Sequence, residues 1–447
     1  MAGMLGEWEN ELRELQGRIS CRFVRPEPCG RALSYLKGLI STSERRNGWQ
    51  IAEAVGEATP DGVQRLLNTA RWDAEEVRDD LRSYVVEHFG DTEAVLIVDE
   101  TGFLKRGEKS VGVSRQYSGT AGGVENCQVG VFLCYASKKG TAFIDRALYL
   151  PRQWTKDQEC RSEAGIPEEV RFATKPALAR KMLERAFEEK VPAGWVTADA
   201  LYGSNRNLRM FLEQRERSFV LAVKRDEPLW TLDERGPAQV RADRLAEEST
   251  PEDWRRLSAG AGSKGERLYD WALLPLFRLQ LTKEERFWGH WLLLRRNIED
   301  PDEIAYYVVF APKKGTTLEQ LVKVAGARWR IESGFSEAKG ELGLDEYEVR
   351  RWVGWHRHIT LCLLAHAFVG VVRSFEAVRK NGALEDLLPP TVPEVRRLMC
   401  SLLLAKLPEE EAVLCWSRWR RRHQLRARRC HYRRRRRLEG ADGQRVP

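Results

Sequence analysis

Three acidic residues stand where this chain could do chemistry. Asp99 ends the apolar run "AVLIVDE" (94–100), Asp199 follows the apolar residues of "GWVTADALYG" (194–203), and Glu332 lies in "RWRIESGFSEAKGELGL" (328–344). Alternation along a strand sends Glu100 to the face opposite Asp99, so only one of that pair faces a given site. Two strand-end aspartates plus a glutamate on a flanking helix make a three-carboxylate set. Like charges packed together raise one another's pKa unless cations neutralise them. Oxygen-only ligands suit Mg2+ or Mn2+ and give no reason to expect zinc. Two such ions about 4 Å apart are a common device for in-line displacement at a phosphodiester: one activates the attacking water or 3′-hydroxyl, the other stabilises the leaving oxygen. Asp99, Asp199 and Glu332 are therefore the candidate catalytic residues and the candidate ligands of a pair of metal ions. The chain has no G-x-x-x-x-G-K-[ST] loop, so "VDE" has no phosphate-loop partner.

The glutamate depends on a helix. At about 100° per residue, Ile331, Phe335, Ala338 and Leu342 form one apolar stripe. Arg328, Glu332 and Lys339 form a second, roughly 70° round from it at the edge of a cleft, while Glu337 and Glu341 lie on the far side. A plain amphipathic helix with i,i+4 ion pairs has the same pattern. The aspartates depend on strands. Runs at 94–100, 127–136 and 141–151, a periodic helix at 175–190 and a further strand at 194–203 predict a mixed α/β sheet. Its acids fall at strand ends, where open α/β sheets place their sites.

The remaining texture divides the chain. Residues 1–90 read as a helical, DNA-binding domain, in which 47–72 holds two short helices around a turn, with Thr59 as N-cap and Pro60 as first helical residue. Helix-turn-helix DNA binders have this outline, and so do plain helical hairpins. Residues 91–216 carry the first part of the catalytic core, 217–315 a β-rich insertion, 316–380 a helical second part, and 381–447 an arginine-rich helical segment. "GALEDLLPPTVP" (382–393) reads as the linker into that last segment.

With 42% apolar and 31% charged residues over 447 positions, the composition is that of an ordinary globular protein. The most apolar stretch, "ITLCLLAHAFVGVV" (359–372), is short for a membrane span and reads as a buried core helix. The acidic N-terminus lacks the apolar region of a signal peptide, so a cytoplasmic protein with no membrane partner is expected. Nine cysteines without a C-x-x-C pair read as free thiols. His356, His358 and His366 read as packing residues. Residues 418–437 hold twelve arginines and no acid, so within a net charge of +8 the rest of the chain carries −4. Arg418, Arg420, Arg421 and Arg433 are candidate phosphate contacts in that run. The interleaved Trp416, Trp419 and Tyr432 favour nucleic acid over a solvated tail.

"VDETGFLKRGEKSVGVSRQYSG", "TADALYG" and "RWRIESGFSEAKGELGLDEYEVRRWVGWHRHITL" together resemble the DDE transposases of bacterial insertion sequences, within them insertion-sequence family 701, a relative of the insertion-sequence-4 group. The group's third acid lies in a Y-x2-R-x3-E-x6-K pattern, matched by Arg328, Glu332 and Lys339, while Ala325 occupies the tyrosine position. The resemblance implies a ribonuclease H-like core interrupted by a β insertion in the interval of 133 positions from Asp199 to Glu332. It implies Arg328 and Lys339 as phosphate clamps, with Lys105 and Arg106 either as further DNA contacts or as part of a solvated loop. Trp288 and Trp291 become candidates to stack a base, though core packing explains them as well. It also implies terminal inverted repeats and target DNA as partners, and a homodimer assembled on DNA. A ribonuclease H-like nuclease without strand transfer and a transposase-derived DNA-binding regulator are the alternatives.

Overall fold

The computed structural model describes residues 2–41, 43–234, 236–262, 265–278, 284–379, 390–404 and 410–442. Five helices come first: α1 (Ala2–Ser20), α2 (Pro26–Ile40), α3 (Gly48–Ala54), α4 (Asp61–Asn68) and α5 (Ala74–Phe89). Asn47 caps α3 through its side chain, and Asp73 caps α5. Thr59 does not cap α4. Pro60 takes that position with helical dihedrals, and the Thr59 hydroxyl donates to Asp61 instead.

The central sheet begins with four buried residues, Val95–Val98, that open β1 (Val95–Leu104). Then come β2 (Ser114–Ser118), β3 (Gly123–Ala136), β4 (Thr141–Tyr149), short helices α6 (Arg152–Lys156) and α7 (Gln158–Ala164), and α8 (Lys175–Glu188). Strand β5 (Trp195–Ala198) leads into α9 (Ala200–Gly203), α10 (Arg206–Gln214) and β6 (Ser218–Val223). A small hairpin, β7 (Pro228–Asp233) and β8 (Gly236–Arg241), and α11 (Ala242–Glu247) precede four longer strands. These are β9 (Arg255–Gly262), β10 (Gly265–Pro275), β11 (Trp288–Arg296) and β12 (Ile304–Pro312). The chain closes with α12 (Leu318–Ala327), α13 (Trp329–Leu342), α14 (Trp352–Arg379), α15 (Val392–Met399) and α16 (Glu410–Asp442).

Ten strands form one sheet in the order β2-β3-β1-β5-β6-β12-β11-β10-β9, with β4 also paired to β3. The pairs β1–β5 and β5–β6 are parallel and the rest antiparallel. Mixed α/β architecture is thus observed, with a large mixed sheet. Residues 217–315, distinguished by β texture, join the central sheet apart from the separate β7–β8 hairpin: β6 pairs in parallel with β5, and β12 to β9 prolong the same ladder from β6 outward. Texture cannot reveal this, because a strand's partner is set by long-range register.

Aromatic packing covers one sheet face, where Phe335 of α13 meets Phe132 and Phe143 at 5.3 and 5.0 Å. The stripe Ile331, Phe335, Ala338, Leu342 is buried, and Gly343 ends α13 in the left-handed region. Helix α14 is long and apolar enough to cross a membrane, but 78% of its most apolar window is buried inside the protein. It is a core helix. Of the 382–393 stretch, residues 382–389 lie outside the described residues.

Candidate catalytic site

Register brings the two aspartates together. Val98 and Ala198 are the last partners of the parallel β1–β5 ladder, and the next residues are Asp99 and Asp199. Strand β1 continues against β3, pairing Asp99 with Phe132, while β5 stops. Asp199 turns the chain into α9 by accepting the Leu201 and Tyr202 N–H groups at 2.9 and 3.4 Å. That turn lies so close to β6 that a Cβ on Gly203 would stand 1.8 Å from the Ala222 carbonyl oxygen. Only glycine lets Asp199 sit there.

Glu332 arrives on the first turn of α13, where the positive end of the helix dipole favours an acid. Arg328, at the junction of α12 and α13, links the acids. Its guanidinium donates to Asp99 Oδ2 at 3.3 Å and pairs with Glu332 Oε1 at 2.6 Å. Glu332 stays about one-third exposed and is not turned into the interior. Burial, followed by the charge of Asp199, pushes the Asp99 carboxyl up to about 7 against the pull of Arg328. Asp199 is raised too, by burial first and then by the charge of Glu100.

Glu100 is the residue that sequence reasoning passed over. Consecutive residues of β1 reach opposite faces: Asp99 meets Arg328, whereas Glu100 accepts from Lys175 Nζ at 2.8 Å and from the buried Tyr202 hydroxyl. Since Tyr202 also donates its N–H to Asp199, Glu100 braces the turn that carries the second aspartate. The sequence offers one cue, a tyrosine three residues after Asp199, which does not name its partner.

All three candidate acids offer oxygen donors, and Asp99 and Asp199 are half-buried beside one another with Arg328 as their nearby cation; that chemistry fits a hard divalent cation. Glu332 does not share their shell here, because the Arg328 guanidinium stands between it and Asp99. Accordingly, among the described residues no group of three or more His, Cys, Asp or Glu side chains is gathered as a ligand set. A three-acid site requires Arg328 to swing away.

A cleft of about 420 Å3 opens beside Asp199 and Arg328. Arg225, Arg267 and Arg295 bring positive charge to it, Tyr269 and the half-exposed Trp329 bring rings, and the buried Tyr307 lines its floor. Trp329 and the strand residues around it were not singled out by motif, since their role depends on β9 and β10 folding back over α12. Trp288 is stacked on Phe310 at 4.4 Å within the sheet. Trp291 on the same strand is partly buried against the core.

Other basic residues differ in availability. Lys105 lies 3.5 Å over the Tyr347 ring and donates to the Tyr347 carbonyl, and burial lowers its ammonium to about 8. It is turned inward, away from the surface expected of a DNA contact. Lys339 donates to the Gly102 carbonyl and to Thr120, tying α13 to β1. Arg418, Arg421 and Arg433 are exposed on α16, whereas Arg420 pairs with Glu53 at 2.6 Å. Trp416 is buried and Trp419 packs against Trp49, so neither ring is free for a base; Tyr432 is exposed. His356 and His358 are buried, held near 4 and near 3 by burial first, and His366 contacts Glu337. All nine cysteines are free thiols.

Residues 23–271, over half of the chain, match the family described as DDE superfamily endonuclease. The match includes Asp99 and Asp199 and ends before Glu332. The chain is 25% identical over 325 residues to a probable transposase for insertion sequence element IS701 from Microchaete diplosiphon, covering 72% of this chain and 77% of that protein. Among solved structures it is similar to a piggyBac transposase in a synaptic complex with hairpin DNA. The TM-score is 0.39 and the identity 12%, over 76% of this chain and 62% of that one, so the chain spans about three-fifths of that structure's length.

Proposed function

We infer that this chain, which belongs to the DDE superfamily of endonucleases, is a DNA transposase that binds terminal inverted repeats, cleaves phosphodiester bonds and joins the freed 3′-hydroxyls to target DNA. The observation that carries this reading is the meeting of Asp99 and Asp199 at the open end of two parallel strands, with Glu332 one guanidinium away. The sheet order β4-β3-β1-β5-β6, three antiparallel strands followed by two parallel ones, supports a ribonuclease H-like core with β9 to β12 as its insertion.

Asp99, Asp199 and Glu332 would hold two divalent ions, Mg2+ or Mn2+. The chemistry those ions supply when bound is activation of the attacking oxygen and neutralisation of the leaving one. The chain's own residues do the rest. Arg328, offered a substrate phosphate, exchanges its two carboxylate partners for phosphate oxygens, which suit its planar fork better than a single oxygen from each acid. That exchange frees Asp99 and Glu332 together. Arg225 and Arg295 track the strand backbone while Tyr269 and Trp329 give its bases a surface. Glu100, through Tyr202, keeps Asp199 from drifting as the charge around it changes.

Arg418, Arg421 and Arg433 add phosphate contacts outside the site, with residues 1–90 as the end-binding domain. Each chain has one such site and an element has two ends, so the active species is a homodimer assembled on DNA, working in the cytoplasm on the nucleoid. The test is a cleavage and strand-transfer assay on inverted-repeat DNA with Mg2+, using Asp199→Ala as the control. Metal-dependent cutting followed by joining is expected. Cutting without joining selects a nuclease, and salt-sensitive binding alone selects a regulator.

A further inference from the structure

The arginine-rich helix is fastened to the N-terminal helices by residues of its own first turns. Trp416 is 3% exposed and donates its indole N–H to the Glu57 carbonyl at 2.9 Å. Trp49 of α3 meets Trp419 and His423 edge-on, with centroids 4.7 and 4.5 Å apart. Arg420 pairs with Glu53 at 2.6 Å. At about 100° per residue, Trp416, Trp419, Arg420 and His423 share one sector of α16 roughly 100° wide. Arg418, Arg422, Arg426, Arg429 and Arg433 fall in the next sector, within about 80° of one another. All five are exposed.

We propose that α16 is an oriented DNA rail: the Trp49–Trp416–Trp419 clasp and the Arg420–Glu53 pair hold it on α3 so that the Arg418–Arg433 stripe lies along the phosphates of duplex DNA. The proposal rests on the DNA-binding reading above and reassigns Arg420 from DNA contact to fastener. The stripe spans about 22 Å at 1.5 Å per residue, a length over which duplex DNA offers about thirteen phosphates. Charge alone would let a loose tail bind. The clasp removes the cost of ordering that tail on DNA, and this preorganisation is what tightens the complex. The arginines also explain why the clasp is aromatic, since rings packed edge-on against a highly charged helix supply attachment that salt does not screen.

The test uses the full-length protein and a short duplex, with affinity read by fluorescence anisotropy. Trp49→Ala changes no charge and is expected to weaken binding about tenfold, whereas Trp49→Phe keeps it within about twofold. Glu53→Arg is the sharper variant. It adds positive charge beside the DNA, so a free tail would bind as tightly or tighter, while an oriented rail loses its fastener and binds more weakly. Glu53→Arg combined with Arg420→Glu restores affinity by rebuilding the pair in reverse. Unchanged binding by Trp49→Ala, or tighter binding by Glu53→Arg, overturns the proposal. A wild-type protein that fails to bind duplex at all overturns the transposase reading instead, and limited trypsin digestion then still reports whether Arg420 is shielded in the free protein.

Discussion

The carboxylate site and the arginine helix concentrate charge in opposite ways. Asp99, Asp199 and Glu332 come from a strand, a turn and a helix far apart in the chain, and one missing register pair would separate them. The arginines of α16 come from one uninterrupted helix, and those of the exposed stripe, Arg420 apart, repeat one another's charge along it. Convergent charge in a buried place perturbs ionisation. Asp99 is displaced to about 7 for that reason. The first region should fail abruptly under substitution and the second by degrees.

The largest break is expected at the acids. Asp199→Asn or Glu332→Gln should lower cleavage by about three orders of magnitude or more while duplex affinity stays within about twofold, as in other sites whose members act as a unit. Comparable residual cleavage by either variant would mean that the acids do not work together. A pH experiment tests the same coupling. The folded carboxyl of Asp99 titrates above its unfolded value near 3.9, so protonation favours the fold. The Asp99 contribution to stability is therefore fullest below about pH 4 and is lost as pH rises toward 7. Added Mg2+ should raise the melting temperature clearly at about pH 8 and hardly at about pH 5, where the proton competes. An equal rise at both values would uncouple the ions from Asp99.

The distributed region should answer in increments. Converting Arg422, Arg426 and Arg429 to Gln, one after another, is expected to reduce the slope of log K against log salt by about 0.9 at each step. A single collapse at one position would make that arginine a specific contact and erase the contrast. The smallest effect is expected at Glu337→Gln. This acid shares α13 with Glu332 but faces His366 on α14, so cleavage should remain within about twofold of wild type. A lethal Glu337→Gln would reverse the phase assigned to the helix.

Periodicity carried the sequence reading where contacts are local. The α13 stripe follows from spacing alone, because residues four apart on a helix must share a face. The strand-end positions of Asp99 and Asp199 follow from apolar runs that stop at acids. What spacing could not supply was partnership. Strand texture grouped β6 with the insertion, although its ladder joins it to β5. Interleaved tryptophans in an arginine run have the composition of a stacking surface, yet the presence of α3 turns two of them inward. Glu100 was placed on the correct face and credited with nothing, since only the fold brings Lys175 and Tyr202 to it.

One close approach sets the mechanics of the cleft. A Cβ on Gly326 of α12 would fall 2.1 Å from the Ala259 carbonyl oxygen of β9, and Arg267 of β10 donates to the carbonyls of both residues. The last strands of the sheet are thus riveted to the helix that leads directly into Arg328. Under the proposed function, a nucleic-acid strand pulling on β9 and β10 would load the junction of α12 and α13, and with it the guanidinium that stands between the acids.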